Sequence, residues 1–412
     1  MTLQNSSIRK KSKIGSYVLL FFILLFTLEI VSYLFLVKYA YVTIYIKLLT
    51  AIMFIYSFIS FYKWSKPDKI YFYIFLLFIV KLVIESIVNF GSLLAYPSVL
   101  AVIFPVLYIL VIKNIFKNTA INILHVLCKT IILFYIIFML FNIGDFGFNI
   151  TSNVFMENMD EIGPYSGDAR ILHARTIFLI MLPYLFYLSK SLKKPSISNL
   201  LILFFLILII LLHQHRTVWV TTIISTFLFV SINNKLHRKI FLVGIIITIA
   251  IIAAFLFIPN LLDLFIDRFQ DILDPFNEDN TSGWRYLQIL SYIEYVIQKP
   301  ILGWGMNGFN LPNPFIDFWE EGTGHHFHDA YIEIIFYFGI VGLFLKYYPL
   351  YKITKYMSLK KLSDNTRVLI VFCVSGLVFS FSYVPPLTFW GIVGVCLLYL
   401  EKDLKFIKNN AQ

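Results

Sequence analysis

The chain has 412 residues, enough for two or three soluble domains, but its composition excludes them. Apolar residues make up 59% of it and charged residues 14%, aromatics reach 18% with 43 Phe and 26 Tyr, and the mean hydropathy is +0.81. So few charges cannot cover a globular surface, and the chain reads as an all-α, polytopic integral membrane protein. The formal net charge of +11, from 34 basic and 23 acidic side chains, fits basic loops held in the cytoplasm rather than a nucleic-acid partner, and none is expected.

A hydrocarbon layer about 30 Å thick takes about 20 helical residues. Twelve apolar segments meet that need, at roughly 15–37, 42–62, 70–90, 93–112, 121–142, 171–188, 197–213, 217–233, 240–258, 328–346, 367–383 and 385–400. Lipid offers backbone amides no water to bond, so each should be a helix. Arg9, Lys10, Lys11 and Lys13 resemble the basic start of a signal peptide. The long apolar run after them lacks a small-residue cleavage site, so it reads as an uncleaved first span. With that end in the cytoplasm, 24 of the 34 basic residues fall in alternate, inner segments, which places both termini inside. The outer segments hold Lys38, Arg170, Arg175, Arg216, Arg268, Arg285 and Lys299, and Lys47, Lys81 and Lys129 fall within spans.

Three regions follow: nine spans over 1–258, a large outer-face loop over 259–327, and three spans with a cytoplasmic tail over 328–412. A shorter outer loop, 143–170, is acidic. Within the large loop, Leu261, Leu262, Phe265, Phe269, Ile272 and Leu273 share one face, the pattern of an interfacial amphipathic helix at 261–273. A second helix is expected over 283–298, capped by Ser282 and ended by Pro300. There Arg285, Gln288, Tyr292, Tyr295 and Lys299 form one polar-aromatic stripe, a pattern often no more than a solvated face. The two halves of the chain show no internal repeat, which counts mildly against a secondary transporter.

The polar chemistry gathers on one side. Arg175, Arg216, Arg285 and His328 come from separate stretches, yet the topology puts all of them on the outer face. Each has a plainer reading: an arginine near a span end is commonly a snorkelling anchor, and His328 could simply cap a helix. His325, His326 and His328, with Asp329 or Glu333, could be metal ligands, but the spacing matches no zinc signature and no metal is expected. Cys128, Cys373 and Cys396 lie in apolar runs and suggest neither disulfide nor zinc. Glu29, Lys81, Glu85 and Lys129 fall inside spans, where charges are functional candidates by default. Lys81 and Glu85 stand one helical turn apart, so mutual neutralisation is the simpler account. Gly303-Trp304-Gly305-Met306-Asn307-Gly308 spells a dinucleotide fingerprint, but a helix and Pro300 precede it and a Pro- and Asn-containing stretch follows. A tight outer-face turn fits better.

From Arg285 to Gly342 the sequence resembles the core of the O-antigen ligase and O-antigen polymerase superfamily. The resemblance rests on Arg285, then Pro300, Gly303, Gly305 and Phe309, then His328-Asp329-Ala330-Tyr331-Ile332, then Gly339 and Gly342. The spacing from the histidine to the glycine pair matches the ligase pattern. Asp329 stands where Asn, Ser or Gln is usual, and the family's Ser-Arg at a span start appears here as His215-Arg216.

The resemblance implies a lipid-carrier-dependent glycosyltransferase of the bacterial inner (plasma) membrane. It takes a glycan from undecaprenyl diphosphate on the outer face and passes it to a sugar hydroxyl, with no metal, cofactor or nucleotide sugar. The acceptor would be another lipid-linked repeat for a polymerase making capsule or O-antigen, or a lipid A core for a ligase completing lipopolysaccharide. A chain-length-regulating membrane protein is a further implied partner. The chemistry suits the residues. Arg216 and Arg285, with Arg175 third, would grip a departing diphosphate bidentately. His328 would take the proton of the acceptor hydroxyl. Tyr292, with Tyr295, Trp284, Trp304 and Trp319, could stack on sugar faces. A transporter or flippase of lipid-linked oligosaccharide is the alternative; it would line a path with Lys81, Glu85 or Lys129.

Overall fold

The computed structural model describes residues 61–117, 122–146, 172–213, 215–233, 281–314, 325, 327–359 and 361–410, with a few isolated positions within 30–58 and 244–256. Most of the expected spans at 15–37, 42–62 and 240–258, most of the loop at 143–170, and the interfacial helix at 261–273 lie outside the described residues. So do the side chains of Glu29, Ser282, Trp284, Trp319 and His326.

The described residues form helices and no strand. In chain order they are α1 (Lys66–Phe90), α2 (Pro97–Ile115), α3 (Ile123–Phe146), α4 (Ala174–Lys193), α5 (Ile197–Leu212), α6 (Arg216–Ile232), α7 (Thr281–Gln298), α8 (Ala330–Lys355), α9 (Asp364–Phe379) and α10 (Leu387–Asn409). Each expected apolar segment among these residues is helical. By length and composition, α1, α2, Ile123–Phe141 of α3 and α8 can cross a membrane, while α5 and α6 are shorter apolar helices. Local chemistry sets their ends. Ser65, Ser196 and Ser363 cap α1, α5 and α9 by accepting backbone N–H bonds, and Gly91 closes α1 in the left-handed conformation.

Helix α4 is buried almost along its whole length and packs on α3, α5, α6 and α9. Phe178 of α4 stacks on Phe379 of α9 at 4.2 Å. Helix α2 packs on α10, α8 and α1. At the end of this layer Lys113 of α2 bonds both oxygens of Asp68, at 2.8 and 3.0 Å, and pairs with Glu401 of α10. Removing Lys113 would leave the buried Asp68 carboxylate without its cation.

Helix α8 is where the structure departs from the expected single span at 328–346. It runs on to Lys355 and is broken at Gly339, with φ 61° and ψ −166°. Glu333 and Lys346 would lie about 20 Å apart on a straight helix at 1.5 Å per residue. Their side chains meet at 3.8 Å instead, so the two halves bend sharply toward each other.

The break exposes helix-end amides and carbonyls, and the segment after α7 satisfies them. The carbonyls of Pro300 and Ile301 accept from Ile340 N–H at 2.8 Å and Val341 N–H at 3.2 Å, while Trp304 N–H donates to Phe336 O at 2.8 Å. Irregular backbone is tolerated at membrane depth only with such partners. Gly303 and Gly339 are the crossing point: a Cβ on Gly339 would press on the Ile301 carbonyl, and one on Gly303 on the Phe338 amide. Both have positive φ, which glycine alone adopts readily.

The same segment is held from its other side by α1. Lys81 and Glu85 pair at 2.9 Å, Glu85 accepts from Met306 N–H at 3.1 Å, Lys81 Nζ reaches Leu302 O at 3.4 Å, and Asn89 donates to Asn307 at 2.7 Å. The charges of this span are thus engaged in docking a loop. Lys129 is exposed on α3.

Candidate functional site

Three helix beginnings and one connection meet at the same end of the bundle. Helix α4 opens with His173, whose Nδ1 accepts from Arg175 N–H at 3.3 Å. Helix α6 opens with His215 and Arg216. His215 is buried, and its Nε2–H donates to Leu172 O at 2.7 Å, because a carbonyl can only accept. That bond ties the start of α6, and Arg216 with it, to the start of α4. His213, just before, meets the hydroxyl of Tyr135 on α3 at 2.9 Å.

Helix α8 opens with His328 and Asp329. Asp329 is the cap: its carboxylate accepts from Tyr331 N–H at 2.7 Å and Ile332 N–H at 3.0 Å. This local task explains why an acid is tolerated at a buried position next to the histidine. The backbone N–H of His328 donates to Gln288 of α7 at 3.2 Å. Ala330 N–H donates to Ser380 O at 3.0 Å, and Tyr331 OH to Leu377 O at 2.8 Å, fixing this end of α8 to the end of α9.

Tyr383, between α9 and α10, joins these parts. Its ring lies 4.8 Å from the guanidinium of Arg285, 6.5 Å from the His328 ring and 5.6 Å from the His173 ring, and it stacks on Phe379. Arg285 and His328 therefore converge on one aromatic ring, with the Arg175 helix start beside it. Arg216 stands next to this group through the His215–Leu172 bond. Arg175, Arg216, Arg285 and His328 are all partly buried.

Tyr292 takes a different place from the one its sequence position suggests. It is 1% exposed, with its hydroxyl 2.6 Å from His325 Nδ1 and 3.1 Å from Asn313 Oδ1. Burial, and then the neighbouring Tyr295, hold that hydroxyl well above its ordinary pKa. The ring packs on Phe327 and Phe336. Tyr295 and Trp304 are engaged similarly: Tyr295 OH donates to Pro312 O, and Trp304 Nε1 to Tyr295 O. The Trp304 ring also lies under Lys299 at 4.2 Å.

His325 and His328 have different partners. His325 Nε2–H donates to Gly308 O at 2.8 Å while Nδ1 meets Tyr292, so both ring nitrogens serve the loop's own structure. Among the described residues no group of three or more His, Cys, Asp or Glu could hold a metal.

Sequence reasoning passed over Tyr383, His173 and Lys346. Tyr383 stood at the expected end of a span, yet it follows α9. Lys346, counted there among cytoplasmic basic residues, is 1% exposed, faces Glu333 and lies 5.5 Å from the centroid of the Trp390 ring. Nothing local in the sequence marks it, because the bend at Gly339 creates that contact.

Residues 201–347 match a family model described as O-antigen ligase. No curated protein and no solved structure matches the chain. The matched segment runs from α5 into α8 and contains Arg216, Arg285, Gly303, Gly339 and His328. Over that segment, which is a little over a third of the chain, the sequence is similar to the O-antigen ligase family.

Proposed function

We propose that the protein transfers a glycan from undecaprenyl diphosphate to a sugar hydroxyl on the outer face of the bacterial inner membrane, in surface polysaccharide synthesis. The observation that carries this reading is the convergence of Arg285 and His328 on Tyr383, within the O-antigen ligase match. The acceptor oxygen attacks the anomeric carbon as the bond from that carbon to the diphosphate oxygen breaks. His328 takes the hydroxyl proton. The lipid diphosphate leaves as a stable anion and needs cationic partners rather than a proton donor; Arg285 and Arg216 supply them, with Arg175 behind. Twelve spans with both termini inside put these groups on the outer face. Polymerase and ligase share this chemistry and differ in the acceptor: a second lipid-linked unit or a lipid A core.

A transporter would need a charged path through the membrane, whereas Lys81 and Glu85 are engaged by the loop at 302–307. The test is reconstitution of the full chain in vesicles with undecaprenyl-diphosphate oligosaccharide. A lengthened or transferred glycan with released undecaprenyl diphosphate supports the proposal. Movement of the oligosaccharide across the bilayer without a new glycosidic bond would refute it.

A further inference from the structure

Helix α7 is amphipathic with its polarity reversed. The middle of the stripe, often no more than a solvated face, turns inward: Gln288 is 3% exposed and Tyr292 1%. The opposite face is apolar and open. Tyr286, Leu290, Ile293, Ile297 and Ile301 recur at spacings that form one ridge on a helix, and they are 43%, 44%, 46%, 69% and 65% exposed. A continuous apolar ridge of this kind is not kept against water by a soluble domain. Glu294 and Gln298 form an exposed polar edge along one side of it.

The ridge does not end at the helix. Pro300 and Ile301 are bonded to Ile340 and Val341 of α8. On that helix, past its break at Gly339, Ile340 and Phe344 are also exposed, at 49% and 69%, and α8 has the apolar composition of a membrane segment. The ridge of α7 and the outward side of α8 thus make one apolar surface. Arg285 and Lys299 stand near the two ends of α7 with their cationic groups over Tyr383 and Trp304, so the ridge itself carries no charge.

We infer that α7 lies against the hydrocarbon of the bilayer, with Leu290, Ile293 and Ile297 covered by lipid. The large loop is then not wholly an aqueous segment: its second helix belongs to the membrane surface, and Arg285 sits at the level of the lipid headgroups. This does not depend on the reaction proposed above.

The test places a spin label on single cysteines in the full chain, Leu290→Cys, Ile293→Cys and Ile297→Cys, in phosphatidylethanolamine and phosphatidylglycerol vesicles. Cys128, Cys373 and Cys396 are buried, and the unsubstituted chain gives their background. Phe344→Cys on α8 and Glu294→Cys on the polar edge serve as references. Lipid cover predicts frequent collisions with oxygen and few with a water-soluble nickel chelate at Leu290, Ile293 and Ile297, as at Phe344, and the reverse at Glu294. Frequent nickel collisions at the three ridge positions would show water there and overturn the inference. Few collisions with either reagent would show protein cover, by another part of this chain or a second copy, and would overturn it equally.

Discussion

The guanidinium of Arg285 lies 4.8 Å from the centroid of the Tyr383 ring, which brings a residue of the large loop over the connection between the last two helices. A cation over an aromatic face contributes about 0.5–2 kcal/mol, depending on desolvation. Tyr383→Ala should therefore raise the donor KM by about 2- to 30-fold, and Tyr383→Phe should leave it nearly unchanged, because the ring and not the hydroxyl makes the contact. Initial rates against donor concentration distinguish the two variants. Equal losses in both would assign the effect to the hydroxyl.

His328 is held by its backbone to Gln288, which leaves its ring positioned beside Tyr383. As the proposed base it should account for about 10²- to 10⁴-fold of kcat. His328→Ala and His328→Gln should both lose that much while donor binding persists, since the arginines remain. A loss confined to KM would make His328 a binding residue.

Gly339 is the hinge of α8, at φ 61° with no room for a side chain against the Ile301 carbonyl. An unfavourable backbone conformation of this kind costs about 1–3 kcal/mol before any clash is counted. Gly339→Ala should lower the thermal midpoint in detergent by several degrees or abolish expression. Ile340→Ala, at an exposed neighbour, should do neither. An unchanged midpoint for Gly339→Ala would mean that α8 is not broken there.

Tyr292 can be separated from a sugar-binding role by one atom. Tyr292→Phe removes the hydroxyl that meets His325 and Asn313 and leaves buried polar groups short of a partner, at about 1–3 kcal/mol. The expected result is a lower thermal midpoint with the acceptor KM nearly unchanged. A raised KM at constant midpoint would return Tyr292 to the substrate.

The sequence made the helices legible because lipid demands long apolar runs, and those expected at 93–112, 171–188 and 367–383 fall largely within the helices Pro97–Ile115, Ala174–Lys193 and Asp364–Phe379. The residues of the proposed site drew attention as exceptions: Arg216 and Arg285 carry positive charge where the segments expected outside are mostly acidic. What stayed hidden depends on contacts far apart in the chain. The break at Gly339 is completed by Pro300 and Ile301, the Lys81–Glu85 pair is turned to a loop more than 200 residues away, and Tyr383 gains its role only where α7 and α8 meet it. The reversed polarity of α7 was invisible for a related reason. Helical spacing shows that two faces differ, but not which of them meets protein.

The central claim is that this outer-face group makes a glycosidic bond at the expense of a lipid diphosphate. It is tested most directly by following undecaprenyl diphosphate and glycan length together in vesicles containing the native chain, Arg285→Ala or His328→Ala. The native chain should release one undecaprenyl diphosphate for each glycan transferred, and both variants, folded and inserted, should release almost none. Full release and transfer by either variant, or a native chain that forms no new glycosidic bond with donor and acceptor supplied, would contradict it.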